Sequence, residues 1–181
     1  MSVNLSGKQL MQPDLIERIE EVLRESQINP WHLKLEITET VVMENPELAA
    51  VTLAKLRSLG VRLSIDDFGT GYSSLSYLNR FPVDTLKIDR SFVTTMNAAD
   101  ENLQIVKTIV TLAGNLGMQV VAEGVETEEQ LEQLRSLKCQ YGQGFLFSKP
   151  LGVADVDLFI LNSARADSLA ITDLAAVDFA M

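Results

Sequence analysis

Arg62-Leu63-Ser64-Ile65-Asp66-Asp67-Phe68-Gly69-Thr70-Gly71-Tyr72-Ser73-Ser74-Leu75 is the stretch on which the reading of this chain turns. An apolar run meets two adjacent carboxylates and passes at once into a Gly-Thr-Gly turn. The run predicts a buried strand, and Gly69 and Gly71 would permit positive φ just past its carboxyl end. Ser73 or Ser74 can cap the helix that follows. A buried strand, an acid pair and a glycine loop together describe the rim of an active site.

Outward from this stretch the same alternation repeats in both directions. Strand-like segments start near residues 3, 33, 62, 85, 119 and 141, and helical segments separate them. Leu15, Ile16, Ile19, Val22 and Leu23 share one helical face. Asn45 caps and Pro46 starts the next helix, which Gly60 ends. Leu103, Val106, Ile109, Val110, Ala113 and Leu116 form another helical stripe, and Thr127 with Gln130 has capping-box spacing. The sixth strand is expected over Tyr141–Phe147, and a last helix from Val153 to about Leu161. Strands alternating with helices predict an α/β fold of parallel βα units with right-handed connections.

In such a sheet, chemistry collects at the carboxyl ends of the strands. The six strands carry, in order, Asn4, Glu36, Asp66 with Asp67, Lys87, Glu123 and Gln143. A strand buried on both faces should be almost wholly apolar, so a polar residue in every strand points to one shared site. Four carboxylates at one rim repel unless a proton or a cation neutralises them. Hard oxygen donors favour Mg²⁺ or Mn²⁺, and two such ions are the usual apparatus of phosphodiester hydrolysis. Lys87 would set a cation beside a water or phosphate, or form a salt bridge within the acids.

Composition narrows the classes. With 25 acidic against 15 basic residues the net charge is −10, which argues against binding a nucleic-acid polymer through its phosphates. At 46% hydrophobic and 22% charged, the 181 residues suit one globular domain. No apolar run is long enough to cross a bilayer, and no signal peptide is expected ahead of the first strand. Cys139, the one cysteine, reads as a structural thiol in a reducing compartment, and His32, the one histidine, as a surface residue in a turn. A cytoplasmic location is expected, alone or as the cytoplasmic part of a membrane-bound parent.

Asn4-Leu5-Ser6, Glu36-Ile37-Thr38-Glu39, the Asp66–Leu75 segment, Lys87-Ile88-Asp89, Glu123-Gly124-Val125-Glu126 and Gly142-Gln143-Gly144-Phe145 together resemble the EAL domains. Those are bacterial phosphodiesterases that linearise cyclic di-GMP on a TIM-like barrel. The resemblance runs from about Val3 to Ile160 and implies a partial EAL domain over residues 1–162, with a C-terminal tail, partly helical, over 163–181. It implies an incomplete (β/α) barrel with about six of eight βα units, the Glu-Ala-Leu tripeptide being expected upstream of Asn4.

The resemblance also assigns roles. Asn4, Glu36 and Asp66 are implied ligands of one ion, with Asp66 bridging to a second that Asp67 also holds. Glu123 is implied as metal ligand and general base, and Lys87 as the group that positions the attacking water. Glu39 would steady the Phe68-Gly69-Thr70-Gly71 loop, which the family links to dimerisation. Gln143, Asp89 and Glu126 would line the substrate rim. Two Mg²⁺ or Mn²⁺ ions, inhibition by Ca²⁺, a homodimer, and sensor or GGDEF domains in a longer parent are implied as well. The alternative reading is a non-catalytic module that binds cyclic di-GMP or dimerises.

Overall fold

The structure is a computed structural model that describes residues 1–71, 75–96, 101–153, 155–157, 159 and 161. The cap expected at Ser73 or Ser74 and the tail over 163–181 lie outside the described residues. Strands β1 (Ser2–Asn4), β2 (Lys34–Thr38), β3 (Arg62–Phe68), β4 (Thr85–Ile88), β5 (Gln119–Glu123) and β6 (Tyr141–Gln143) form one sheet in sequential order. Every pairing is parallel. The helices between them are α1 (Gly7–Leu10), α2 (Leu15–Ser26), α3 (Glu39–Glu44), α4 (Pro46–Ser58), α5 (Leu75–Leu78), α6 (Arg90–Thr94), α7 (Glu101–Asn115) and α8 (Glu128–Ser136). The open, curled sheet with its flanking helices matches an incomplete TIM-like (β/α) barrel.

Alternation along the strands separates the two faces. Leu35, Ile37, Leu63, Ile65, Leu86, Ile88, Val120 and Ala122 point to the helix side, each at most 4% exposed. They form one core with Leu53 and Leu56 of α4, Val106, Ile109 and Ala113 of α7, and Leu134 of α8. Each such side chain stabilises the fold by roughly 1.5–3 kcal/mol on burial. The opposite face is polar: Ser2, Lys34, Glu36, Ser64, Thr85 and Lys87 are all buried there. The polar residue found in every strand therefore belongs to one predominantly polar face of the sheet, on which Val121 is a buried apolar member.

Helix ends follow local chemistry. Asn45 accepts from the Leu48 N–H at 3.2 Å, and Thr127 and Gln130 cap each other reciprocally. Gly60 takes φ +87° just past α4. Ser6 and Gln9 make a second capping box, starting a one-turn helix that periodicity does not signal. The sixth strand is shorter than the expected Tyr141–Phe147. It ends at Gln143, because Leu146 N–H turns back to the Val125 carbonyl at 3.0 Å. The described positions from 153 to 161 are helical, as expected. The apolar stripe of α2 is only partly covered. Leu15 is buried, but Val22 is 59% exposed, beside an open apolar groove shared with Val3 and Leu35.

Candidate metal centre and active-site rim

Register explains how residues far apart in sequence reach one rim. Asn4 pairs with Glu36, and Glu36 pairs with Ser64, two residues before Asp66. Ser64 pairs with Thr85, two residues before Lys87, and Lys87 pairs with Val121, two before Glu123. Glu123 pairs with Gln143. Paired and i,i+2 residues share a face, so Asn4, Glu36, Asp66, Lys87, Glu123 and Gln143 all project to the polar side.

Lys87 is the hub. Its Nζ lies 2.7 Å from Glu36 Oε2, 3.1 Å from Asp66 Oδ1 and 2.7 Å from Glu123 Oε1. Burial alone would push this ammonium down. The carboxylates of Glu123, Glu36 and Asp66 outweigh that and hold it well above the ordinary lysine value. The salt bridge read from the sequence is thus present, with three partners at once.

Adjacent residues on a regular strand face opposite ways, so Asp66 and Asp67 should diverge. They do not, because β3 carries a bulge. Ile65 pairs with Leu86 and Phe68 with Ile88, three steps along β3 against two along β4. The extra residue is absorbed at Asp67, whose φ is +54°. Phe68 thereby returns to the apolar face, 4% exposed, and both acids serve the rim. Carboxylate oxygens of Asp66, Asp67 and Glu123 come within 4.8 Å of one another.

The loop after β3 departs from expectation in one respect. Gly69 takes φ +101°, but Gly71 has no left-handed φ, and the second left-handed residue is Asp67. Gly71 is needed for space instead, since a Cβ there would lie 3.2 Å from Glu39 Oε1. Glu39 is fully buried, and its Oε2 accepts the N–H groups of Gly69 at 2.8 Å and Gly71 at 3.3 Å. The side of Gly69 faces Phe92 of α6 and Ile109 of α7.

Of the remaining candidates, Asp89 adjoins the cluster, its charge and a side-chain hydrogen bond both acting on Asp67, and the others stand at its edge. Asp89 caps α6 by accepting from Ser91 N–H at 2.9 Å. Burial raises its pKa, but the Ser91 hydrogen bonds and Arg90 more than offset this and leave it below the ordinary value. Gln143 is half-buried beside Glu123, and Glu126 is exposed in the loop ahead of α8. Asn4 is exposed on edge strand β1. His32 is exposed, as expected.

The charge balance tests whether this donor set fits a divalent ion. Burial, then the charges of Asp66 and Asp89, push Asp67 above the ordinary carboxylate value against the pull of Lys87. Glu123 is likewise raised by burial, with Lys87 opposing. One ammonium therefore does not neutralise Glu36, Asp66, Asp67 and Glu123 together. A surplus of crowded, hard oxygen donors fits Mg²⁺ or Mn²⁺.

Known proteins are similar to this chain in sequence and fold. The cyclic di-GMP phosphodiesterase NbdA of Pseudomonas aeruginosa is 43% identical over 160 residues, 88% of this chain and 20% of NbdA. This chain spans about a fifth of the length of that relative. The structure described as the PaMucR phosphodiesterase in complex with c-di-GMP superposes with a TM-score of 0.83 at 42% identity, over 86% of this chain and 69% of that one. BlrP1 of Klebsiella pneumoniae in a manganese/cy-diGMP complex gives a TM-score of 0.75 at 37% identity, over 82% of this chain and 38% of BlrP1. A calcium/cy-diGMP complex of BlrP1 matches equally well, at 0.75 and 38%. Residues 1–150 match the EAL domain family, and with this match and these relatives the chain belongs to that family.

Proposed function

We propose that this chain forms the greater part of a cyclic di-GMP phosphodiesterase domain, which opens the cyclic dinucleotide to linear pGpG. The observation that carries the reading is the meeting of Lys87 with Glu36, Asp66 and Glu123 beside the displaced Asp67. Asn4, Glu36 and Asp66 would hold one divalent ion, and Asp66, Asp67 and Glu123 the other. Two bound Mg²⁺ or Mn²⁺ ions supply a water of lowered pKa and stabilise charge on the phosphate.

The chain's own groups do the rest. Glu123, its carboxyl raised by burial, accepts the proton of the attacking water. The water oxygen bonds to phosphorus, and the bond from phosphorus to the 3′ oxygen breaks, the 3′ oxygen leaving with the bonding pair and taking up a proton from solvent. Lys87 orients that water while neutralising the acids around it. Gln143, Asp89 and Glu126 line the rim on which substrate rests. Glu39 steadies Phe68-Gly69-Thr70-Gly71, and the packing of Gly69 against Phe92 and Ile109 supports a link from this loop to α6 and α7. A homodimer contact through this loop belongs to the same proposal. Sensor or GGDEF domains in a longer parent and a cytoplasmic location belong to the same proposal. No described helix is long and apolar enough to cross a membrane.

The test is incubation with cyclic di-GMP and Mg²⁺ or Mn²⁺, followed by chromatography for pGpG. It is run on this chain and on a longer protein that contains it. Cleavage by the longer protein is expected, lost about 10²–10⁴-fold in Glu123→Gln, with Ca²⁺ permitting binding but not turnover. Binding without cleavage in Mg²⁺ and Mn²⁺ would favour the non-catalytic module instead. Neither binding nor cleavage by the longer protein would end both readings.

A further inference from the structure

The bulge at Asp67 needs something to hold it. A non-glycine residue at positive φ is disfavoured, and the strain persists only where neighbours over-determine it. Three hydrogen bonds do so here. The Thr70 hydroxyl donates to the Asp67 carbonyl at 2.9 Å, and the Thr70 N–H approaches the same oxygen at 3.4 Å. The Asp67 N–H donates to Asp66 Oδ1 at 3.0 Å, tying the two acids to each other. Thr70 is itself exposed and offers no carboxylate to the cluster.

From this geometry we infer that Thr70 is a positioning residue for the acid pair. Its hydroxyl clamps the Asp67 carbonyl, keeps Asp67 in the left-handed region, and so holds the Asp67 side chain on the same side as Asp66. Without the clamp, β3 relaxes toward regular alternation, which would carry Asp67 away from Asp66 and Glu123. The role is distinct from that of Glu39, which holds the N–H groups on the far side of the turn. The inference rests on the metal-binding part of the proposed function, and it is tested separately from turnover.

The experiment compares wild type, Thr70→Val and Thr70→Ser, all as the full 181-residue chain. Mn²⁺ affinity is read by electron paramagnetic resonance, and amide hydrogen exchange is followed at Asp67, Gly69 and Gly71. Thr70→Val keeps the shape of the side chain and removes the donor. It is expected to weaken Mn²⁺ binding about tenfold, the usual scale for a group that orients a ligand. Exchange in the loop is expected to quicken on the order of fivefold, the effect of losing one net hydrogen bond. Thr70→Ser restores both, which a purely space-filling role would not.

Thr70→Val with wild-type affinity overturns the inference, whether or not exchange changes, because the hydroxyl then does not place the acids. If the wild type takes up no Mn²⁺, the two-metal reading fails, and the clamp is judged on exchange alone. Slow exchange in wild type and Thr70→Ser but not in Thr70→Val then supports it, and equal exchange in all three overturns it.

Discussion

Lys87 Nζ lies 2.7 Å from Glu36 Oε2, joining β4 to β2 across the strand between them. The two residues are 51 positions apart, and each side chain is only 4% exposed. Such a contact requires the sheet to curl, and it concentrates charge where water cannot screen it.

Removing the ammonium should therefore be costly. Lys87→Met leaves Glu36, Asp66 and Glu123 facing one another without a cation, and breaking a buried pair on one side costs about 3–5 kcal/mol. Urea denaturation should show that loss in the metal-free protein. Millimolar Mg²⁺ should recover part of it, since a ligand of the native state stabilises by mass action. A variant as stable as wild type without metal would show that the three contacts contribute nothing net.

Glu39 makes a second prediction. Glu39→Ala removes the acceptor of two backbone N–H groups, those of Gly69 and Gly71. The part-buried Gly69 N–H left without a partner costs about 1–3 kcal/mol, and the exposed Gly71 N–H costs less. Glu39→Gln keeps an acceptor oxygen and should lose less. Denaturant midpoints of the pair give the difference.

The glycines divide into opposite signs. A Cβ at Gly144 would lie 2.2 Å from the Val125 carbonyl oxygen and 2.3 Å from its nitrogen, a clash with backbone that cannot rotate away. Gly144→Ala should destabilise by about 3 kcal/mol or more. Gly114, inside α7, has no left-handed φ, and its own helix backbone and chain neighbours aside, no atom of the described residues lies within 4 Å of its Cβ position. Gly114→Ala should stabilise by about 0.5–1 kcal/mol. Thermal unfolding of the two variants tests both signs.

Cys139 supplies a pH dependence away from the acidic rim. Burial pushes its thiol from 9.0 up to about 11, against hydrogen bonds from its surroundings. The neutral thiol is thus favoured in the folded state. Its contribution to stability is present in full below pH 9 and lost as pH rises through about 11. The difference in stability between wild type and Cys139→Ala should shrink across that window. At pH 8, alkylation by iodoacetamide should be slow in the native chain and fast in urea, as mass spectrometry would read it.

Much of this architecture was legible beforehand because it is local. Asn45-Pro46 starts α4, Thr127 and Gln130 bracket the start of α8, and the stripe from Leu103 to Leu116 marks α7. Cap chemistry and the 3.6-residue period act over one or two turns, so the residues alone suffice to find them. The helices α1, α3 and α6 have no legible signal because four to six residues are too short for a period to show. The second glycine of the Gly-Thr-Gly turn misled for a related reason. Glycine marks either positive φ or tight space, and only the position of Glu39 beside Gly71 tells which.

By itself, then, the sequence determined the order of elements, the apolar stripes beneath them and the polar residue that each strand carries to the rim. These follow from side-chain chemistry read at short range. The tertiary structure alone decided that Lys87 meets three carboxylates from β2, β3 and β5, and that Glu39 reaches a loop 30 residues away. It alone decided that Asp66 and Asp67 point the same way. Each depends on ladder register and on one extra residue in β3, and register is set by the neighbouring strands, which residue spacing does not encode.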